Sequence, residues 1–354
     1  MKLAVIGFTP NGLKLEKRLR PVLEEAGHQV QFFIKSKYIE PKETEGEAAI
    51  VSENLKEWAE KWIPREDGIL FIGAAGIAVR TMVPFVESKR TDPAVLVLDE
   101  KGQFVISLLS GHLGGANELA NAIAEKIGAI PVITTATDVN QKFAVDVFAK
   151  NNELWISDMR LAKEVSARIL RGERLKAGAG AGYCEGSHAK PYKELLFEKK
   201  DSPDGVRGTF WIQIEEGQIL HLIPKNKILG VGCRKGTSME HIERIVKEVL
   251  EENKILPLGI RKMTSIDLKK EEPGLTEFSQ KWNLPFETFT SEQLQKAEGD
   301  FSASVFVSKI TGVDNVCERS AILGSIGGVL LIKKQVRDGV TIACAQEEWS
   351  VEFE

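Results

Sequence analysis

The chain has 354 residues, of which 43% are hydrophobic and 28% are charged, and its formal net charge is -4. This length predicts two or three domains, and the composition is ordinary for a soluble globular protein. The slightly negative charge argues against a general nucleic-acid binder. The apolar run Leu3–Phe8 is too short for a signal peptide and no run approaches a membrane span, so a soluble, cytoplasmic protein is expected.

The four cysteines are widely spaced along the chain and form no CxxC pair. They are Cys184, Cys233, Cys317 and Cys344. This spacing argues against a zinc site or a disulfide framework, and reduced thiols are expected. The histidines and cysteines are too scattered to form a sequence-local ligand set, so no protein-bound metal is expected.

The first third of the chain alternates strand-like and helix-like segments. The predicted strands are Lys2–Gly7, Val30–Ile34, Ile69–Ile72, Ala94–Leu98, Phe104–Leu108 and Pro131–Thr134; the predicted helices are Leu13–Glu25, Ser52–Trp62 and Glu118–Ile127. The segment Asp99–Gly102 is typical of a hairpin turn. Alternation of this kind predicts a mostly parallel sheet that is covered on both faces.

The fold class is therefore multi-domain α/β. We expect an N-terminal α/β domain over residues 1–138, a small central region over 139–225 and a separate C-terminal α/β domain over 226–354. In the central region, Leu175–Gly182 contains a Gly-Ala repeat without the Gly-Lys-Ser/Thr ending of a phosphate loop, and we interpret it as a flexible or close-packed connection. The last domain has strands at Lys227–Gly232 and Met263–Leu268 and a helix at Met239–Glu252 capped by Ser238.

The segment Leu108–Asn117 is the most informative stretch of the sequence. A strand ends near Ser110, three glycines follow (Gly111, Gly114 and Gly115), and a helix begins after them. Backbone N–H groups at such a turn can approach an anion closely. His112 adds a side chain that titrates near neutral pH, so the loop is a candidate site with His112 as its acid/base group.

Three further features of the first third are candidate ligand contacts. Gly73 and Gly76 form a second strand-to-helix turn, but their spacing is not the dinucleotide fingerprint. Asp92 precedes a proline next to a strand that leads toward the His112 loop. Thr135 and Asp138 follow the strand that begins at Pro131, where hydroxyl and carboxylate groups bind ligand or cap the next turn; both interpretations stay open.

The last domain contains a cationic turn and two polar segments. Arg234, Lys235 and Thr237 precede a helix and favour an anion site, whereas Cys233 is more typical of a small buried filler. If the strand continues, Ser265, Asp267 and Lys269 share one face. A second polar segment contains Asp314, Asn315, Glu318 and Arg319; a surface ion pair between the last two is the simple interpretation, and a binding role stays open.

Several of these stretches, in this order, resemble the CbiG family, the cobalt-precorrin-5A hydrolases of anaerobic cobalamin biosynthesis. In the first third they are Phe71–Arg80, Thr91–Val95, Leu108–Asn117 and Pro131–Asp138; in the last third they are Gly230–Ser238, Ser265–Lys269 and Thr311–Arg319. The resemblance spans nearly the whole chain and is least distinctive from about residue 150 to 222. The C-terminal part also resembles CobE, a stand-alone protein associated with the aerobic pathway.

The resemblance implies a hydrolase of carbon–carbon bonds that acts on an anionic cobalt corrinoid. It implies opening of the ring A δ-lactone of cobalt-precorrin-5A and release of acetaldehyde to give cobalt-precorrin-5B. The cobalt belongs to the substrate, so no cofactor is implied. Neighbouring enzymes of the pathway are expected as transient partners, and neither nucleic acid nor membrane is expected.

Residue roles follow from the chemistry, because a lactone hydrolase needs a base for water and donors for an oxyanion. The catalytic candidates are His112, Ser110 and Asp138. The substrate-binding candidates are Gly73, Gly76, Asp92, Gly111, Gly114, Gly115, Asn117, Thr135, Arg234, Lys235, Thr237, Ser265, Asp267, Lys269, Asp314, Asn315, Glu318 and Arg319. We expect the pocket in a cleft between the first and last domains, lined by cations that bind the substrate's carboxylates.

Two other classes of function stay open at this point. A corrinoid-binding or carrier protein without turnover is suggested by the likeness of the last domain to a stand-alone protein. A nucleotide-dependent enzyme is suggested by the glycine turns.

Overall fold

The computed structural model describes residues 1–44, 46–88, 91–112, 114–140, 142–187, 190–304, 308 and 311–353, without the side chains of Thr137 and Asp138. The chain divides into two compact units, Met1–Lys142 and Phe143–Glu354, which are described separately. The division into three domains stays a prediction. Within the described ranges, no helix has the length and apolar character needed to span a membrane, and no group of three or more His, Cys, Asp or Glu side chains is placed to hold a metal ion.

The first unit contains one seven-stranded sheet. Its strands are β1 Lys2–Gly7, β2 Gln29–Ile34, β3 Ala49–Ile50, β4 Gly68–Ile72, β5 Ala94–Leu98, β6 Phe104–Leu109 and β7 Ile130–Val132. Its helices are α1 Pro10–Glu25, α2 Pro41–Thr44, α3 Leu55–Trp62, α4 Ala75–Met82, α5 Ala116–Ile127 and α6 Ala136–Val139. The predicted α/β alternation of the first third is confirmed, with helix and strand ends shifted by a few residues.

The strand order is β3-β2-β1-β4-β5-β6-β7. All neighbouring strands are parallel except β5 and β6, which form an antiparallel hairpin. Asp99 stabilises the hairpin turn, because its carboxylate accepts hydrogen bonds from the backbone N–H groups of Lys101, Gln103 and Phe104. The predicted hairpin and the mostly parallel sheet are confirmed.

Because of the hairpin, strands of the sheet end at both of its edges. We call the edge where β1, β4 and β5 end, at Gly7, Ile72 and Leu98, the carboxyl edge. Since β6 runs in the opposite direction, it ends at Leu109 beside Val95, near the start of β5. We call this second edge, where β1, β4 and β5 begin and β6 ends, the amino edge.

Helices cover both faces of the sheet, as the sequence predicts. On one face, Leu19 of α1 and Ile123 of α5 belong to one buried cluster. On the other face, Trp58 of α3 and Ala78 of α4 belong to a second cluster with Phe71 of β4. Successive residues of each central strand are buried on opposite faces, so these strands are apolar throughout.

The second unit contains two five-stranded sheets. The first consists of β8 Leu154–Ile156, β9 Leu175–Ala179, β10 Leu195–Glu198, β11 Phe210–Glu215 and β12 Gln218–Pro224, with α7 Val145–Asn151 and α8 Met159–Leu170. The second consists of β13 Lys227–Cys233, β14 Ile260–Ile266, β15 Phe286–Phe289, β16 Val329–Arg337 and β17 Val340–Gln346, with α9 Met239–Glu252, α10 Pro273–Lys281, α11 Ser291–Gln295 and α12 Cys317–Gly324.

The Gly-Ala run is not a connection, and in this respect the sequence interpretation was wrong. Residues 175–179 form β9, which lies between β10 and β11 in the sheet order β10-β9-β11-β12-β8. A Cβ atom at Gly178 would lie 2.5 Å from the carbonyl oxygen of Glu198 and 2.6 Å from the ring of Trp211. The small residues therefore allow close packing inside a sheet. The predicted close packing is present, but the predicted connection is not.

The end of the chain packs into the core of the first of these sheets. Trp349, Val351 and Phe353 are buried in the same cluster as Phe210 of β11, and Phe353 stacks on Phe148 at 5.6 Å between ring centroids. The central region thus completes its apolar core with residues from the end of the chain.

The last sheet has the order β15-β14-β13-β17-β16, with β13, β14 and β15 parallel. Gly230 of β13 allows α12 to approach the sheet, because a Cβ atom there would lie 1.9 Å from the carbonyl oxygen of Cys317. Ser238 caps α9 as predicted, accepting a hydrogen bond from the N–H of His241. The predicted strand at Met263–Leu268 ends two residues early, at Ile266.

Candidate functional site

The loop between β6 and α5 lies at the amino edge and is held in a tight conformation. Ser110 has a φ of 57°, in the left-handed region. A Cβ atom at Gly114 would lie 2.4 Å from the Cβ of Ser110, and one at Gly111 would lie 2.7 Å from the side-chain oxygen of Asn117. A side chain at Gly114 would clash with the loop backbone because the loop folds back on itself, and one at Gly111 would displace the side chain of Asn117.

The loop uses several of its N–H groups internally. Gly115 donates to the carbonyl oxygen of His112 at 3.0 Å, Ala116 to that of Ser110 at 3.2 Å, and Asn117 to that of Gly111 at 2.9 Å. The N–H groups at this start of α5 are therefore partly satisfied by the loop's own carbonyls. Fewer donors face a ligand than the sequence suggests.

The polar side chains of the loop meet those that follow β7. Asn117 is buried and donates a hydrogen bond to the hydroxyl of Thr135 at 3.2 Å. His112 is half-buried on the same loop, and the hydroxyl oxygen of Ser110 is buried without a hydrogen-bond partner among the described residues. The structure thus brings Ser110, Asn117 and Thr135 to one edge with His112. Leu113 and the side chain of Asp138 lie outside the described residues.

Asp92 lies at the same edge but serves its own turn. Its side chain is 8% exposed, and one carboxylate oxygen accepts hydrogen bonds from the N–H groups of Glu87 and Ser88, both at 3.0 Å. These bonds are those of a turn-stabilising aspartate. The structure therefore supplies a structural role for Asp92.

The second glycine turn, Gly73–Gly76, lies at the carboxyl edge beside a groove of about 510 Å³. Gly73 is close to the ring of Phe8, and Gly76 lies beneath the guanidinium of Arg80, 3.5 Å from the position of a Cβ atom. Four apolar residues line the groove, Phe8, Leu55, Ile77 and Pro84, together with Lys35, Lys56, Arg80 and Thr81.

The two glycine turns do not form one site within the first unit. Strands β4 and β5 each contain five residues, so the two edges are separated by about 16 Å of extended chain. The sequence placed Gly73 and Gly76 in one site with Gly111, Gly114 and Gly115. The direction of β6 places the two sets at opposite edges.

In the last sheet, the cationic turn follows β13 as predicted. Arg234 and Lys235 are exposed, and the hydroxyl of Thr237 donates to the carbonyl oxygen of Arg234 at 2.8 Å. Burial raises the pKa of the neighbouring Cys233 thiol, which is consistent with a filler and not with an activated thiolate.

A carboxylate of the protein already occupies part of this turn. Glu272, which is 8% exposed, accepts hydrogen bonds from the N–H of Gly236 at 2.7 Å and from Lys269 at 2.6 Å. Burial acts to raise the pKa of Glu272, but these hydrogen bonds outweigh it and hold the pKa below its usual value. The charge of Lys269 is thus neutralised within the protein.

The expected shared face of Ser265, Asp267 and Lys269 was wrong. Ser265 is fully buried, and its hydroxyl donates to the carbonyl oxygen of Val231 at 2.7 Å. Asp267 and Lys269 belong to a 3₁₀ turn after the strand has ended. The alternation that predicts one face does not continue through a turn with three residues per repeat.

The expected surface ion pair between Glu318 and Arg319 was also wrong. Glu318 is fully buried and accepts hydrogen bonds from Asn315, from the N–H of Lys334 and from both the N–H and the hydroxyl of Ser302. Arg319 instead pairs with Asp314 at 3.0 Å. Asn315 also caps the start of α12 by accepting from the N–H of Glu318. This cluster is a satisfied structural network.

Sequence reasoning missed the cations of the carboxyl-edge groove. Lys35 directly follows β2, and Arg80 lies in α4, the helix after β4, but they are 45 positions apart in the chain. Only the strand order brings them to one groove. The available signal was their position after β2 and β4, two parallel strands that flank β1 and end at the same edge.

Two family models match the chain. The model described as Cobalamin synthesis G N-terminal matches residues 57–138, and the model described as Cobalamin synthesis G C-terminus matches residues 227–345. The first match includes both glycine turns of the first unit. The second covers the cationic turn and the polar segment around Glu318.

Curated relatives match over nearly the whole length. A protein of Salmonella typhimurium named cobalt-precorrin-5A hydrolase is 35% identical over 96% of this chain and 96% of its own. A protein of the same name from Priestia megaterium is 30% identical over 97% of this chain and 94% of its own. The crystal structure of CobE, a protein from the cobalamin biosynthetic pathway, is 29% identical over 34% of this chain and 89% of its own, with a TM-score of 0.32. The full-length similarity shows that the chain belongs to the CbiG family of cobalamin synthesis proteins.

Proposed function

We propose that this protein is a cobalt-precorrin-5A hydrolase. The observation that carries the proposal is the 35% identity, over 96% of both chains, to the Salmonella typhimurium protein of that name. The proposed substrate is an anionic cobalt corrinoid, and its cobalt is part of the substrate, so no resident metal is included. We place the reaction in the cytoplasm, with neighbouring pathway enzymes as transient partners.

The proposed reaction has two steps. Water adds to the carbonyl of the ring A δ-lactone and the ring opens to a carboxylate and a free hydroxyl. A base then removes the hydroxyl proton, and the carbon–carbon bond to the two-carbon fragment breaks. Acetaldehyde leaves, and the macrocycle takes up the electron pair and a proton. This makes the enzyme a hydrolase of carbon–carbon bonds.

We assign the base to His112 in the amino-edge loop. An imidazole can accept a proton from water and later return it. The tight backbone around Gly111 and Gly114 supports this role, because a base acts best from a fixed position. Ser110 stays a candidate catalytic side chain of the same loop, and Asp138 is the alternative base.

The cationic turn of the last sheet is the proposed contact for the substrate's carboxylates. Arg234 and Lys235 are exposed, and neither forms an ion pair within 4 Å among the described residues. Lys269, Asp314, Glu318 and Arg319 are engaged inside the protein, so we do not retain them as substrate contacts.

The test is direct detection of acetaldehyde. The purified protein is incubated with lactone-bearing cobalt-precorrin-5A, and the released aldehyde is trapped as a hydrazone and quantified with time. We expect about one acetaldehyde per corrinoid and many turnovers per protein. Tight binding without any release would contradict the proposal and support a corrinoid carrier.

A further inference from the structure

The carboxyl-edge groove lies at the topological switch point of the first sheet. From the central strand β1 the chain proceeds to β2 and β3 on one side, whereas β4 and β5 lie on the other. In open α/β sheets, ligands bind in the crevice formed at this point by the carboxyl ends of the strands. Phe8 follows β1 and Lys35 follows β2, so both line the groove because of their strand positions.

The walls of the groove combine an apolar surface with positive charge. Phe8, Leu55 and Ile77 supply apolar contact area, and they are half-buried. Lys35, Lys56 and Arg80 supply three cationic groups around the same space. A ligand that matches both features has an apolar body and anionic groups at its periphery.

These cations are not neutralised by strong ion pairs. Lys35 donates to the backbone carbonyl of Glu53, which carries no charge. Arg80 makes no ion pair among the described residues, and its guanidinium lies over Gly76. Lys56 has only Glu60 at 3.8 Å, in an exposed i,i+4 pair of small energetic value.

The neighbouring helix start is poorly suited to phosphate. In dinucleotide-binding sheets the phosphate binds the N-terminus of the helix after the first strand. Here Pro10 has no N–H, and the hydroxyl of Thr9 accepts the N–H of Gly12 at 3.0 Å. Thr9 and Asn11 also donate to the carboxylate of Glu100, which places a negative charge where a phosphate would lie.

We infer that the carboxyl-edge groove is a second binding site, separate from the His112 loop, for a polycarboxylate with an apolar body. Arg80 and Lys35 bind its carboxylates, since guanidinium and ammonium groups form charge-assisted hydrogen bonds with them. Phe8 and Ile77 contact its apolar body. The inference concerns binding at this groove and goes beyond the proposed reaction.

The test uses cobyrinic acid, a corrin with free carboxylates, as the probe. Binding is measured by calorimetry, and hydrogen exchange of peptides from α3 and α4 reports occupancy of the groove itself. We expect cobyrinic acid to protect both helices from exchange. R80A combined with K35A should remove this protection and lower the affinity for cobyrinic acid by about tenfold or more, the value of a charge-assisted hydrogen bond. The matched control is K14A, which removes an exposed cation from α1 and should change nothing.

Three further ligands define the chemical class. The heptamethyl ester of cobyrinic acid has the same body without charge, citrate has carboxylates without the body, and ATP has phosphates. Only cobyrinic acid should protect α3 and α4 at micromolar concentration. Equal protection in the double variant, or protection by citrate or ATP that Arg80→Ala removes, would overturn the inference. The acetaldehyde assay is independent: failure of release with normal groove protection contradicts only the proposed function.

Discussion

The two edges of the first sheet carry similar glycine turns but use their polar groups in opposite ways. At the amino edge, the N–H groups of Gly115, Ala116 and Asn117 bond to carbonyls of the same loop, and the backbone is fixed. At the carboxyl edge, Lys35 and Arg80 face a groove without a carboxylate partner among the described residues. A fixed loop suits positioned chemistry, whereas an open cationic groove suits recognition of an anion.

The largest expected effect is on the rate of acetaldehyde release, which should depend on the amino edge. His112→Ala should lower the rate of acetaldehyde release by about a hundredfold to ten-thousandfold, the usual contribution of a general base, while corrinoid affinity is retained. The control is His28→Ala, which removes another imidazole from the same unit. Turnover is measured by the hydrazone assay and folding by circular dichroism. Near-normal turnover in H112A would move the assignment to Asp138.

A buried carboxyl group lies at the carboxyl edge and predicts that stability depends on pH. Glu16 of α1 is 2% exposed, and its carboxyl lies 2.7 Å from the position of a Cβ atom at Gly7, the last residue of β1. Burial raises the pKa of Glu16 to about 9, although the nearby backbone of Gly7 and the charge of Arg20 act in the opposite direction. The folded protein therefore holds this group neutral.

The sign of the pH dependence follows from this raised pKa. In the unfolded chain Glu16 ionises near its ordinary value of 4.5, so its contribution to stability is complete below that pH and is lost as pH rises toward 9. Glu16→Gln should remove this loss. The free energy of unfolding of E16Q, minus that of the parent, should therefore increase by up to about 1.4 kcal/mol for each pH unit across this window.

The measurement is urea unfolding at a series of pH values between 4 and 9. Glu25→Gln is the matched control, because Glu25 is exposed on the same helix. A constant difference between E16Q and the parent over the whole range would show that Glu16 is ionised in the folded protein. The expectation would then be wrong.

Glycine substitutions should also distinguish the two edges. Gly114→Ala places a Cβ atom 2.4 Å from the Cβ of Ser110 and 2.8 Å from its carbonyl oxygen, so the loop must shift, at a cost of about 1–3 kcal/mol. Gly76→Ala in α4 meets only Arg80 at 3.5 Å, and a helical alanine is worth about 0.4–1 kcal/mol in stability. Thermal unfolding of both variants gives the comparison; destabilisation of equal size would contradict it.

The strand order was only partly accessible from the sequence. The hairpin at Asp99–Gly102 was predicted, and it already implies that β6 ends at the opposite edge from β4. Strand periodicity and turn residues are local, so they predicted these elements well. The placement of Lys35 and Arg80 in one groove depends on the strand order, and the strand order depends on packing of the whole sheet.

The polar network of the last sheet shows a second reason why sequence patterns are insufficient. Glu318 looks like a surface carboxylate in a polar segment, yet Ser302 and Lys334 supply backbone N–H groups that satisfy it when buried. These donors lie 16 positions away on either side. A buried charge can be recognised only when all of its partners are in place.

The smallest expected effect extends the comparison to the last sheet, where the cationic turn also follows a parallel strand. Replacing Arg234 and Lys235 together by alanine should weaken corrinoid binding by up to about tenfold at low salt, because exposed charges contribute little each and are screened by ions. The slope of affinity against salt should also become shallower. Replacing the exposed Lys254 and Lys296 by glutamine removes the same charge outside this turn and is the control. Calorimetric titration with cobyrinic acid at several salt concentrations makes the measurement, in the background of R80A with K35A so that binding at the groove does not contribute. Unchanged affinity at low salt would exclude the turn as a carboxylate contact. An equal loss of affinity in the Lys254 and Lys296 control would show that only the net charge of the protein matters, and not the position of these two cations.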